Sequence, residues 1–495
     1  MQVTGQHGNF TVKGSVVGVS GRSGNVNAPK TLTDKIITTV TSIGRDDPTT
    51  AEAQRAATVL RILQGSEKLL DESPWIQNIW FPLSDDGLLL WPKEWMQASQ
   101  GSQRRPAAPQ QANLPSLPLN SSQQTAVNYM FSELDDHRIT LVQGPPGTGK
   151  TSVIASFVQF SVALDRGGIW LVAQSNVAVK NIAEKLISSG FTAWKLLVSK
   201  DFQFQWHEHL YTKVSDNVIR SDQFNIASNK ANLRGIQVIL CTLSMLSNSQ
   251  IAKFAKEVPL RTLVVDEASQ IEIGDYISIF SNFKRTLRKA CFIGDDKQLP
   301  PFGQEDLQDL QSIFEITHLK AVYDNKLNSN PLHLIKDDIT ACYFIDIAGK
   351  EKALETGSFL NELECQAILK LAQKLEEQEK KYRIITPYEG QRSHIEMRMQ
   401  EEGLQWGDKC FNVDSFQGNE EDFIIISVVR TRALGFLKNL RRTNVMLSRC
   451  KKGMFIVSSL QFLTGTGAGS LVGQMLKKMD PAVWLTLDEI EEGKF

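Results

Sequence analysis

The feature that most constrains this chain is the run Gly144-Pro145-Pro146-Gly147-Thr148-Gly149-Lys150-Thr151, a G-x-x-x-x-G-K-T pattern. An apolar stretch at 139–142 precedes it, and residues 152–164 follow with helical spacing. Strand, glycine-rich turn, helix is the order a phosphate-binding loop requires. The glycines let the backbone curl so that its N–H groups face phosphate oxygens. Lys150 reaches the β- and γ-phosphates, and the Thr151 hydroxyl is placed for Mg²⁺. The N-terminus of the following helix adds its positive end to the anion site.

The strand before the loop has companions. Short apolar runs at 139–142, 168–173, 238–241, 262–265 and 291–293 alternate with helical stretches, and each ends in a polar turn. That alternation predicts a buried parallel sheet with helices on both faces. The rhythm returns at 383–386, 423–429 and 454–457, which predicts a second α/β domain in tandem. The charged stretch 370–381 between them reads as a solvated helix. A chain of 495 residues has room for two to four domains of roughly 100–200 residues. The expected division is an accessory region at 1–99, a Gln-, Pro- and Ser-rich linker at 100–118, a first domain at 119–325, a second at 326–470 and a C-terminal tail at 471–495. Residues 191–235 read as a mostly helical insertion in the first domain.

In the accessory region, residues 8–19 alternate loosely and predict short strands, and 51–70 predicts a helix. Trp75, Trp80, Trp91 and Trp95 cluster there. Base stacking is one use for them, but the simpler expectation is that they hold a small accessory domain together.

A net charge of −1 excludes a histone-like binder driven by overall charge, while leaving room for a local basic cleft. The six cysteines are widely spaced and form no C-x-x-C pair, which excludes a zinc ribbon or a secreted disulfide scaffold. His207-Glu208-His209 lacks a third ligand at suitable spacing and is not expected to bind metal. No run of about 18 apolar residues is present, so no membrane span is expected. The expected setting is intracellular, cytoplasm or nucleus.

Two further strand ends carry chemistry. Val264-Val265-Asp266-Glu267 ends a strand about 115 residues after the loop. There Asp266 can hold Mg²⁺ through water, and Glu267 can orient and polarise an attacking water. The segment Ile293-Gly294-Asp295-Asp296-Lys297-Gln298 ends the next strand, where Gln298 can sense the γ-phosphate.

Taken with its other motifs, the chain resembles a superfamily 1 helicase of the up-frameshift-like branch, over residues 119–459. Leu119-Asn120-Ser121-Ser122-Gln123 resembles the adenine-reading motif. Gln174-Ser175-Asn176 and the strand end at Thr242 resemble contacts to the nucleic-acid backbone, as do Thr386-Pro387-Tyr388 and Gln391 in the second domain. Asp414-Ser415-Phe416-Gln417-Gly418-Asn419-Glu420 resembles the nucleotide-coupling motif, with Glu420 expected on the ribose. Arg441-Arg442-Thr443-Asn444-Val445-Met446-Leu447-Ser448-Arg449 resembles the last motif, with Arg449 as an arginine finger. The resemblance implies two tandem RecA-like P-loop domains with a small N-terminal accessory domain. It implies ATP and Mg²⁺ as ligands, single-stranded RNA or DNA as partner, and 5′-to-3′ movement. Lys150, Glu267, Gln298 and Arg449 are then the catalytic set.

The chain departs from that family in two ways. It has no Cys- and His-rich zinc module. It also has no Gln-Tyr-Arg-Met motif between Glu315 and Val322, so roughly two dozen residues are missing against the family pattern. That motif would supply an adenine-stacking tyrosine and a second arginine. Two expectations follow, a working motor or a nucleic-acid-binding protein with a slow ATPase. A GTPase is disfavoured, because no Asn/Thr-Lys-x-Asp motif follows the loop.

Overall fold

The computed structural model describes residues 50–65, 72–82, 89–95, 119–199, 214–227, 231–301, 310–316, 341–355, 357–416, 418–479 and 484–493, with residues 304 and 319 and the backbone of strands at 321–324 and between 2 and 39. Eight parallel strands form the first sheet. Their order is Ala321–Asp324, Ile139–Gln143, Lys289–Gly294, Thr262–Asp266, Ile169–Ala173, Val238–Thr242, Trp194–Val198 and Val218–Arg220. Trp170 and Val172 enter the core on one face, and Ile169, Leu171 and Ala173 enter the core on the other. A strand covered on both faces shows no polar alternation, which is why these runs read as continuous apolar segments.

The second sheet is also parallel. Its order is Cys410–Asn412, Tyr382–Thr386, Glu421–Ser427, Cys450–Ser458, Ala341–Asp346 and Trp484–Leu485. It too separates two cores, with Ile425 on one face and Ile424 and Ile426 on the other. The helix Glu362–Glu377 turns Leu371, Ala372 and Leu375 inward and leaves Lys370 and Gln373 outside. Among the described residues, no helix is long and apolar enough to cross a membrane.

Three expectations need correction. The segment 191–235 is not a mostly helical insertion, because Trp194–Val198 and Val218–Arg220 are strands of the first sheet. The signal was obscured by Lys195, which interrupts a short apolar run and sends its Nζ to the Asp216 carbonyl, 3.2 Å away. Residues 471–491 are not a tail. The helix Leu471–Lys478 buries Val472 and Met475, Trp484–Leu485 forms the edge strand, and Leu487–Glu491 buries Ile490 in the second lobe. The apolar stripe of the first of these helices needs a partner, and the second lobe supplies it.

The tryptophans do not build a separate domain. Pro74–Trp80 is a seven-residue helix. Trp75, Ile76 and Ile79 join the core of the first lobe, and Trp75 stacks on Phe280 with centroids 5.6 Å apart. Arg288 lies over the Trp95 ring at 4.4 Å. So short a helix has no core of its own and buries its indoles only against a larger body. The helix Thr50–Leu63 follows the same route, with Arg55 paired to Asp275. Before it, the backbone forms a three-stranded antiparallel sheet (Gly8–Thr11, Gln2–Gly5, Ile36–Thr39) and a hairpin of Ser15–Ser20 with Ser23–Asn27.

Candidate nucleotide cleft and nucleic-acid interface

The phosphate loop leaves the carboxyl end of strand Ile139–Gln143 and enters the helix Lys150–Ala163. Its mouth is tied to the neighbouring strand by the Gly144 amide, which donates to the Gly294 carbonyl at 2.9 Å. Gly147 and Gly149 both have positive φ, 70° and 79°. At Gly149 a Cβ would also lie 2.5 Å from Gln123 Nε2. That amide donates to the Thr148 carbonyl at 2.9 Å, while Gln123 Oε1 accepts from the Asn120 amide at 3.0 Å. Gln123 therefore braces the loop from the helix Ser121–Phe131, whose N-terminus it also caps. Lys150 Nζ bridges back to the Gly144 carbonyl, 3.0 Å away. Pro145, Pro146, Thr148 and Thr151 complete the lip of the cleft.

Asp266 ends the strand Thr262–Asp266 and is 6% exposed. Burial pushes its carboxyl up from the ordinary range, the neighbouring Glu267 adds to the push, and Lys150 opposes it. Glu267 sits in the left-handed region with φ 52°. For a non-glycine residue that conformation costs on the order of 1–3 kcal/mol and persists only where the surroundings enforce it. Gln270 Nε2 donates to Glu267 Oε2 at 3.1 Å, fixing the carboxylate. Two carboxylates against one ammonium leave negative charge in a desolvated corner. A hydrated divalent cation held by Asp266 and Thr151 suits that corner.

The second lobe closes the other side. Arg449, 4% exposed, donates from one terminal nitrogen to Gln298 Oε1 at 3.0 Å and to Ser448 Oγ at 2.9 Å. Burial pulls its pKa down, while Glu267, Glu420 and Asp295 hold the charge in place. Gln298 is itself fixed, its Nε2 donating to Asp295 Oδ2 at 3.0 Å. Asp295 has no role in the expected catalytic set. It is nevertheless the buried group that orients Gln298, and its place directly after the strand Lys289–Gly294 was the available signal. The cavity between the lobes measures about 940 Å³ and reaches from the phosphate loop to Gly418, Glu420 and Arg449. Gln417 and the stretch His207-Glu208-His209 lie outside the described residues.

The residues expected at the nucleic acid divide into two groups. Ser175 and Asn176 are exposed at the end of strand Ile169–Ala173, and Thr242 is half-buried at the end of its neighbour, in register with Ala173. These three form one ledge. Ser175 Oγ also caps its helix, accepting from the Ala178 amide at 3.1 Å. In the second lobe, Tyr388 is half-buried, its hydroxyl accepting from the Phe436 amide at 3.1 Å. Thr386 and Gln391 are fully buried. The Gln391 amide is spent on Asn361 and Ser427, so its contacts are internal to the lobe. Arg441 crosses to Gln304 Oε1 (3.1 Å), whereas Arg442 faces Asp414 (3.3 Å). Lys451 lines the cavity, and Lys452 pairs with Asp422 at 2.9 Å.

Two family models, each described as an AAA domain, match in tandem, one over residues 123–304 and one over 307–461. The chain is 28% identical to Regulator of nonsense transcripts 1 of Caenorhabditis elegans over 436 residues, covering 72% of this chain and 39% of that protein. It is 27% identical to ATP-dependent helicase upf1 of Schizosaccharomyces pombe, covering 72% and 46%. The tandem AAA domains and these relatives support a helicase of the up-frameshift-like branch of superfamily 1. An uncharacterized ATP-dependent helicase of Methanocaldococcus jannaschii is 26% identical, covering 70% of this chain and 68% of that protein. The chain spans less than half the length of the first two of these helicase relatives. Against this branch's pattern, the short path after Glu315 stands out. The edge strand Ala321–Asp324 lies parallel to the phosphate-loop strand, with Asp324 in register with Gln143. Its carboxyl end therefore stands beside the loop, with no Gln-Tyr-Arg-Met sequence there.

Proposed function

We propose that this chain is an ATP-driven helicase or translocase on single-stranded RNA or DNA, moving 5′-to-3′. The observation that carries the reading is one cleft with Lys150, Asp266 and Glu267 on its first-lobe wall and Arg449 on its second. The phosphate-loop amides and Lys150 bind the β- and γ-phosphates, and Glu267 orients and polarises the attacking water. Asp266 and Thr151 would hold Mg²⁺, which would supply positive charge against the phosphates. Arg449, released from Gln298, stabilises charge on the transferring group. Gln123 braces the loop on the adenine side, and Glu420 meets the ribose. Closure on ATP and reopening after hydrolysis move the second lobe relative to the ledge of Ser175, Asn176 and Thr242 and step the strand past Tyr388. Steady-state ATP hydrolysis with and without single-stranded RNA and DNA, beside Lys150→Ala, tests it. Strand-stimulated turnover abolished by the substitution is expected; turnover indifferent to both strands would refute it. Partial duplexes with a 5′ or a 3′ overhang test the polarity.

A second reading rests on the missing motif. With Arg449 as its lone arginine finger, the chain binds nucleic acid and ATP but hydrolyses slowly. Strand binding without stimulated turnover, corrected by inserting Gln-Tyr-Arg-Met before the strand Ala321–Asp324, is its signature.

A further inference from the structure

Asn181 Nδ2 donates to the Gly418 carbonyl at 2.7 Å, joining residues 237 positions apart across the cleft. The two ends belong to different lobes. Asn181 lies on the helix Asn176–Ser188, which Val179, Ile182, Ala183 and Leu186 bury in the first lobe. Gly418 follows Phe416, a core residue of the second lobe, and precedes the strand Glu421–Ser427. Gly418 holds φ 77°, a left-handed conformation that few other residues adopt without strain.

The helix carrying Asn181 begins at the ledge. Ser175 is its N-cap and Asn176 its first residue. At about 1.5 Å of rise per residue, Asn181 sits roughly 7–8 Å further along the same rigid rod. Its acceptor lies two residues before Glu420, the expected ribose contact. The other cross-lobe bonds described above gather at Gln298 and Gln304, on different loops of the first lobe. One helix and one hydrogen bond thus connect the ledge to the nucleotide-coupling segment.

We infer that Asn181 is a positioning residue that links occupancy of the strand ledge to the 418–420 segment of the nucleotide cleft. The inference rests on the proposed function and adds to it the route by which strand binding stimulates turnover. Asn181 lines the cavity with its side-chain amide engaged by the Gly418 carbonyl, so its loss should weaken the linkage and leave each binding event intact. Asn181→Asp is the sharpest variant. It keeps the shape and places an acceptor oxygen against the Gly418 carbonyl. Asn181→Ala removes the contact without repulsion.

The test measures basal and strand-stimulated ATP turnover, and the affinity for labelled oligo(U) and oligo(dT) with and without a non-hydrolysable ATP analogue. The stimulated-to-basal ratio should fall about 2- to 10-fold in Asn181→Ala, the range one hydrogen bond supports, and further in Asn181→Asp. Basal turnover and strand affinity without nucleotide should be unchanged, and the effect of the analogue on strand affinity should shrink in parallel. Equal losses of basal and stimulated turnover would overturn the inference, as would an unchanged ratio. A wild-type protein that hydrolyses slowly yet changes strand affinity with the analogue would sink the motor reading alone, leaving the linkage to be judged from binding. A wild type with neither response would sink both.

Discussion

Each lobe buries a carboxylate at the carboxyl edge of its sheet, and the two are treated in opposite ways. In the first lobe Asp266 accepts the Glu267 amide at 3.0 Å and shares its corner with a second carboxylate and Lys150. In the second, Glu364 is fully buried and well satisfied, accepting from Ser427 Oγ at 2.7 Å, the Val429 amide at 2.9 Å and Asn361 Nδ2 at 3.3 Å. It holds Val429, a β-branched residue, at φ 70°. Both acids are desolvated. One is left with electrostatic need and faces the cleft, and the other is saturated with donors and shapes a loop. Burial alone marks neither as functional; the balance of partners does.

The comparison breaks most sharply at Arg449, the second lobe's contribution to the cleft. Arg449→Ala should lower ATP turnover by about 10³–10⁵, while fluorescent-nucleotide binding persists; a small loss in steady-state assays would mean another cation takes over. Glu267→Gln tests the first lobe's side. Removing the water-orienting carboxylate should cost about 10²–10⁴ in turnover, with ATP affinity retained in equilibrium binding. Trp75→Ala tests whether the aromatic segment belongs to the first lobe. Emptying its site against Phe280 should cost about 3–5 kcal/mol of unfolding free energy. Chemical denaturation should then show the first lobe destabilised and the second unchanged.

The smallest effect concerns Glu364. Burial raises its pKa from 4.5 to about 8, with Ser427 and the Val429 and Val428 amides pulling the other way. Between those values the unfolded chain has released a proton that the folded protein keeps. Stability therefore falls as pH rises through that window, by up to about 1.4 kcal/mol per pH unit for this group. Glu364→Gln should flatten the pH dependence of the melting temperature there, and an unchanged slope would show that the carboxyl is ionised in the folded protein.

Much of the first-lobe site was legible because it is local. The phosphate loop, Asp266-Glu267 and the loop with Gln298 each sit within a few residues of a strand end, and each strand announces itself as an apolar run. The strand Ala341–Asp346, next to the edge strand Trp484–Leu485, was missed, since the scattered apolar residues Leu332, Leu334, Ile335 and Ile339 before it blur where its run begins. The docking of Trp75 and Trp95 was illegible for another reason. Aromatic clusters show that something must be covered, but not by what.

The sequence by itself determined the two-sheet plan, the phosphate cradle and the paired carboxylates, because backbone geometry and strand-end placement are properties of short segments. Only the tertiary structure decided that Arg449 meets Gln298 and that Gln391 is spent inside its lobe. It alone decided that residues 471–491 complete the second sheet and that Asn181 reaches Gly418. Those outcomes depend on which surfaces pack together, and contacts between residues distant in the chain leave no periodic trace in the sequence that makes them.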